Sequence, residues 1–130
     1  MSRPFDIVVH GATGFTGRQC ATYLSERPGV RWAVSGRDLT RLERIKDELR
    51  SSANPPGGAL HADASSPPTC GAMARETRVV LSTAGPFARL GDPVVDGCVA
   101  EGADYVDITG ETPWARRVID RLHTEKGPCL

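Results

Sequence analysis

The segment His10-Gly11-Ala12-Thr13-Gly14-Phe15-Thr16-Gly17 decides how the rest of the chain is read. Before it runs Phe5-Asp6-Ile7-Val8-Val9, a short apolar stretch of the kind buried in a parallel sheet. After it, from Arg18 to Glu26, a helix is expected, because Gly17, Cys20, Ala21 and Leu24 recur at helical spacing. Strand, glycine turn and helix in that order are the context in which such glycines hold a dinucleotide. Gly11 lets the chain reverse out of the strand. Gly14 carries no Cβ to hold a pyrophosphate away from the backbone, and Gly17 lets helix and strand approach. The helix start then offers free N–H groups and a positive dipole end to phosphate. The spacing G-x-x-G-x-x-G is one residue wider at its start than the commonest form, but the turn and helix start survive. A plain structural turn is the competing reading. No G-x-x-x-x-G-K-[ST] occurs, so a P-loop is excluded.

A chain of 130 residues is read as one domain, 1–130, with a core of its own. Sixteen basic and sixteen acidic residues give a formal net charge of zero, with no basic stripe for nucleic acid. Cys20, Cys70, Cys98 and Cys129 are scattered without a C-x-x-C. That pattern reads as reduced, packed thiols of a cytoplasmic protein, not as a disulfide frame or a zinc site. His10, His61 and His123 do not cluster, so no metal site is expected. No apolar run approaches the ~18 residues of a membrane span, and no signal peptide is visible. Peripheral association with a membrane stays open.

Further along, Arg27-Pro28-Gly29 stops the first helix. Val30 to Val34 reads as a second strand, and Asp38 as the N-cap of a helix with Leu42, Ile45 and Leu49 inward. Arg44 and Glu48 stand at i,i+4 on its solvated side. Ser51 to Gly58 reads as a surface loop and Ala59 to Asp63 as a third strand. Ser66 is expected to cap, and Pro67 to open, a helix through about Arg75. Thr77 to Thr83 is a fourth strand. Asp92-Pro93 is the expected start of a helix closed by Gly102. Tyr105 to Ile108 is a fifth strand, and Thr112 is expected to cap, and Pro113 to open, the last helix. Five strands alternating with helices predict an α/β fold, a Rossmann-like doubly wound parallel sheet ordered 3-2-1-4-5. Right-handed crossovers bring the ends of strands one, two and four to a single crevice.

The second strand selects the dinucleotide. NAD-binding proteins place an acid about twenty residues past the last glycine, on the ribose 2′-OH. Twenty residues past Gly17 stands Arg37, whose planar fork suits a 2′-phosphate, so NADP is favoured over NAD. Ser35 and the Gly36 backbone are placed to help. The alternative keeps Arg37 solvated and puts Asp38 on the ribose. Asp63 suits the adenine side, or else serves its loop as a cap. Thr83, Ala84, Gly85, Pro86 and Phe87 are expected to border the nicotinamide ribose, with Phe87 either a stacking surface or a core plug.

Four segments, G-A-T-G-F-T-G (11–17), S-G-R (35–37), V-V-L-S-T-A-G-P-F (79–87) and Y-V-D-I-T-G-E (105–111), occur in order. Together they resemble the N-terminal NADP-binding domain of saccharopine dehydrogenase-like oxidoreductases, and within that group the trans-acting enoyl reductases of lipid assembly. The likeness runs from about Phe5 to His123. It implies an NADP-linked Rossmann domain, with Gly11 to Gly17, Arg37 and Ala84 to Phe87 at the cofactor, and a small-molecule substrate drawn from either amino-acid or lipid chemistry, the lipid-derived one being that of the enoyl reductases. Members of that family continue into a substrate-binding domain, whereas this sequence stops after Lys126 to Leu130. A truncated member, a fragment or half of a split enzyme is therefore expected.

Chemistry within the chain is sparse. Tyr23 is followed four residues on by Arg27, and Tyr105 by Thr109, so no Tyr-x-x-x-Lys pair exists. No cysteine stands in a recognisable nucleophile context. Asp107 and Glu111 either orient a substrate or cap the last helix. No catalytic residue is assigned. Two classes stay open: an NADP-dependent oxidoreductase or its cofactor-binding part, and a nucleotide-binding module without turnover. The fifth strand is expected at the sheet edge, a place for self-association or a partner chain, with Phe87 and Trp114 exposed beside it.

Overall fold

Apolar runs alternating with amphipathic ones produce alternating strands and helices in the computed structural model, which describes residues 2–124. In chain order these are β1 (Phe5–His10), α1 (Phe15–Leu24), β2 (Trp32–Gly36), α2 (Leu39–Glu48) and β3 (Ala59–His61). They continue as α3 (Pro67–Arg75), β4 (Thr77–Ser82), α4 (Phe87–Glu101), β5 (Asp104–Asp107) and α5 (Thr112–Thr124). All strand pairs are parallel, in the order β3-β2-β1-β4-β5 expected from the sequence.

The strand register sorts the core into two layers. Ala33, Val8, Val80 and Tyr105 are paired across the sheet and bury against α3, α4 and α5. The neighbouring row, Val34, Val9, Leu81 and Val106, faces the opposite side. Its first two members are sealed by Ala21 and Leu24 of α1 and by Leu42 and Ile45 of α2. Cover runs out along that row, and Val106 is 42% exposed at the β5 edge. On the other face α3 and α4 touch closely: a Cβ on Gly97 would stand 2.9 Å from the Cys70 backbone.

Several elements depart from the local reading. α1 starts at Phe15, and β2 lies two residues later than its apolar run suggested. α4 starts at Phe87, not at Asp92, so Pro93 lies inside the helix. Its first turn is capped from a distance, as described below. Ser66 occupies the N-cap position of α3 but its side chain makes no capping bond; the Thr69 hydroxyl donates to the Ser66 carbonyl instead (2.6 Å). Asp38 does cap α2, accepting from the Arg41 N–H (3.2 Å). Glu48 pairs not with Arg44 but with Arg18 of α1 (2.6 Å), because the folded α1 brings that guanidinium within reach.

Phe87 and Trp114, expected on the surface, are 5% and 2% exposed, with ring centroids 5.6 Å apart. Gly91 leaves the space that the Trp114 ring fills, and the Trp114 indole N–H donates to Asp92 (2.9 Å). Here α4 and α5 close their own core, leaving Val106, Ile108 and Ile119 as the exposed apolar residues near the β5 edge.

Candidate functional site

Gly11 leaves β1 at φ +82°, a conformation that suits glycine, and its N–H donates to the Ser35 carbonyl (2.9 Å). The Ala12 N–H goes to the same carbonyl (3.2 Å), so the turn hangs from the end of β2. Thr83, just past β4, ties it from the other side. Its hydroxyl donates to the carbonyls of His10 (2.9 Å) and Gly11 (3.2 Å).

The three glycines separate by the space each leaves. A Cβ on Gly11 would stand 2.9 Å from the Ala84 nitrogen, and one on Gly17 only 2.1 Å from the Gly11 carbonyl oxygen. Both are required by packing. A Cβ on Gly14 would meet nothing nearer than the Gly11 oxygen at 3.5 Å, an ordinary contact. The fold has no need of glycine there.

Gly14 is also the N-cap residue of α1, with no side-chain cap and no acid in the first turn. The first i→i−4 bond runs from the Arg18 N–H to the Gly14 carbonyl (2.9 Å). The N–H groups of Phe15, Thr16 and Gly17 thus precede the helical ladder and form its positive end. An anion fits this end of α1.

A crevice of about 290 Å³ opens at the carboxyl ends of the strands. Of the expected site residues, Gly11, Thr13, Gly14, Gly36, Arg37, Asp63, Thr83, Ala84 and Gly85 line it. Phe15, Thr16, Gly17 and Pro86 border the turns without lining the crevice. Ala12, Ser35 and Phe87 are buried, and their side chains face packed protein. Ala12 is part of the α1–α2 core layer, Phe87 is a core plug, and Ser35 is engaged with His10.

His10 and Leu90 line the crevice although sequence reasoning missed them. The signal for His10 was available: a polar residue ending an otherwise apolar strand, directly before the glycine turn. Its Nδ1 lies 3.2 Å from the Ser35 hydroxyl, and the ring is 5% exposed. Burial pushes its pKa down to about 4, against a weaker opposing pull from the Asp63 charge, so the ring is neutral at pH 7.

Asp63 is engaged in its own loop, with one carboxylate oxygen accepting the Ser65 N–H (2.9 Å) and hydroxyl (2.8 Å). These bonds, with a smaller contribution from Arg37, hold its pKa below the usual carboxylate range. The side chains of Asp107 and Glu111 make no capping bond to α5, although the Glu111 carbonyl accepts the Ala115 N–H (3.0 Å) that opens its ladder. Asp107 accepts the Tyr105 hydroxyl (2.7 Å) and the Thr109 N–H (3.0 Å), and Glu111 serves α4. Cys70 and Cys98 are buried, and burial pushes both thiols up, that of Cys98 to about 12. Neither is an activated nucleophile. Cys129 lies outside the described residues.

A second hollow, about 330 Å³, lies between β5 and α5 and includes Val106, Trp114 and Ile119. It stands apart from the glycine turn and shares no lining residue with the crevice. Among the described residues no group of His, Cys, Asp and Glu is placed to hold a metal ion, and no helix is long and apolar enough to cross a membrane.

Residues 7–127 match the family model described as the saccharopine dehydrogenase NADP binding domain. A Mycobacterium leprae protein named trans-acting enoyl reductase is 42% identical over 124 residues, covering 95% of this chain and 29% of its own length. The chain thus spans less than a third of the curated relatives it matches. Among solved structures, saccharopine dehydrogenase from Saccharomyces cerevisiae superposes with a TM-score of 0.71 at 18% identity, over 88% of this chain and 24% of that one. Triphenylmethane reductase from Citrobacter sp., solved with NADP(H), gives 0.63 at 18% identity, over 85% and 42%. Likeness at that identity shows a shared fold.

Proposed function

The chain belongs to the saccharopine dehydrogenase NADP-binding domain family, and on that premise we propose that it holds NADP for the reduction of an enoyl substrate. The substrate in this reading is small and lipid-derived: the name of the mycobacterial relatives supports the enoyl group, and the sequence resemblance supports the lipid origin. The reaction is assigned to the cytoplasm, in keeping with three thiols that stand unpaired.

The observation that carries the reading is Gly14. Packing explains the glycine at 11 and at 17, whereas the space beside Gly14 is open and lets a ligand approach the backbone. The pyrophosphate is assigned to the Gly14 backbone and the first-turn N–H groups of α1. Arg37, with no ion pair or side-chain hydrogen bond among the described residues, is assigned to the ribose 2′-phosphate. The acid beside it, Asp38, is engaged in capping α2. Asp63 is assigned to the adenine side, and Ala84 and Gly85 to the nicotinamide ribose.

NADPH, when bound, supplies a hydride. What the residues of this domain contribute is position: a fixed phosphate anchor at one end and a close backbone approach at Gly85. Substrate recognition is assigned to the part of the longer relatives that this chain does not span.

Calorimetric titration with NADPH and NADH tests the cofactor assignment. NADPH should bind at least tenfold more tightly, and the advantage should vanish in Arg37→Ala, since a charge-assisted bond is worth about 1.5–3 kcal/mol. Equal affinities would overturn it. For the reaction, this domain fused to the remaining segment of a mycobacterial relative should oxidise NADPH with enoyl thioesters. Oxidation with amino-acid substrates alone would remove the enoyl assignment.

A further inference from the structure

On the outer side of the glycine turn lies a smaller hollow of about 150 Å³, lined by Thr13, Arg18, Arg41, Arg44, Ile45 and Glu48. Thr13 also lines the crevice that Arg37 borders, so the two hollows meet at that residue. Three guanidinium groups line the small hollow, and they are not equivalent. Arg18 is neutralised by Glu48 at 2.6 Å. Arg41 and Arg44 have no ion pair and no side-chain hydrogen bond among the described residues.

The position of Arg41 is unusual on helix grounds. It stands in the first turn of α2, where the dipole favours anions and opposes cations. Asp38 fixes it there by accepting the Arg41 main-chain N–H, leaving the guanidinium unengaged. The helix dipole therefore works against an arginine at this exposed place. A bound anion gives a reason for one, because it would satisfy the guanidinium and the helix end together.

We propose that Arg41, whose hollow shares Thr13 with the crevice of Arg37, is a second guanidinium on the 2′-phosphate of NADP and so a determinant of cofactor specificity. This rests on the assignment of Arg37 above. A phosphate monoester carries between one and a half and two negative charges near pH 7, by the ordinary range of about −1.5 to −2. One arginine leaves much of that charge uncompensated; two balance it, each by a planar fork matched to phosphate oxygens. Arg44, one turn further along α2, contributes only field. Arg18 contributes little, because Glu48 holds it.

The test is calorimetric titration of the whole chain with NADPH, NADH, 2′,5′-ADP and 5′-ADP, for wild type, Arg41→Ala, Arg41→Lys, Arg37→Ala and Arg44→Ala, with circular dichroism as the check of folding. Arg41→Ala should weaken NADPH and 2′,5′-ADP about tenfold, the scale of one charge-assisted contact, while changing NADH and 5′-ADP less than about twofold. Arg41→Lys should recover part of the loss, and Arg44→Ala should cost less than about threefold. If Arg37→Ala abolishes the NADPH preference and Arg41→Ala leaves it intact, Arg41 has no such role and the Arg37 assignment stands. If wild type shows no preference for the 2′-phosphate ligands, both assignments fall.

Discussion

The carboxylate of Glu111 accepts the N–H of Phe87 at 2.6 Å, and its other oxygen accepts that of Ala88 at 3.0 Å, so α4 is capped by a residue 24 positions along the chain. The two first-turn donors of α4 find no local side chain. A carboxylate at a helix N-terminus also meets the favourable end of the dipole. The same contact joins the turn after β4 to the loop after β5, and so holds Ala84 and Gly85 at the crevice wall.

Removing that cap should be costly. Glu111→Ala is expected to lower stability by about 1–2 kcal/mol, the usual value of a helix N-cap. Glu111→Gln keeps one acceptor and should lose about half as much. Urea unfolding followed by far-ultraviolet circular dichroism measures both; an unchanged midpoint for Glu111→Ala would show that water caps α4 equally well.

The glycines should divide by experiment as they do by geometry. Gly17→Ala places a Cβ 2.1 Å from the Gly11 oxygen and should destabilise the fold by about 1–3 kcal/mol or more. Gly14→Val should leave the fold largely intact and abolish NADPH binding. Thermal melts and calorimetry on the two variants make the comparison. A folded Gly14→Val variant that binds normally would reduce the loop to a structural turn.

Acid should weaken the protein through His10. Its pKa is about 4 in the folded chain against an ordinary 6.5, so the unfolded chain takes up the proton first as pH falls. Above pH 6.5 this group costs nothing. Between pH 6.5 and 4 stability should decline, by about 3 kcal/mol in all. The carboxylates of Asp6, Asp63 and Glu101 are lowered, so their contribution is lost at more acid pH, and the window from 6.5 to 5 belongs to His10. Unfolding midpoints at half-unit intervals should show the decline in wild type and not in His10→Gln.

At the sheet edge, β5 pairs among the described residues only with β4, and Val106 and Ile108 are 42% and 50% exposed. Such an edge is a template for another strand. The chain is expected to self-associate with rising concentration, and Val106→Lys to reduce this. Light scattering after gel filtration decides; a monodisperse wild-type monomer across the range would show that the edge is inert.

What the amino-acid sequence determined by itself is what short-range physics can carry. The apolar run before His10, the glycines at 11, 14 and 17, the Asp38 cap and the alternation of strands and helices each act within about one helical turn or one strand. Strand order followed from them, because crossover handedness leaves few topologies. Tertiary structure decided the rest. The start of α4 depends on Glu111, the partner of Glu48 is Arg18 rather than Arg44, and Phe87 and Trp114 bury one another. Ser35 meets the His10 ring at 3.2 Å across the β1–β2 pair, and that ring is a wall of the crevice. In each case the deciding atoms lie more than twenty residues apart. Hydrogen bonding and burial act through space, and only the folded chain brings those atoms within about 3–6 Å of each other.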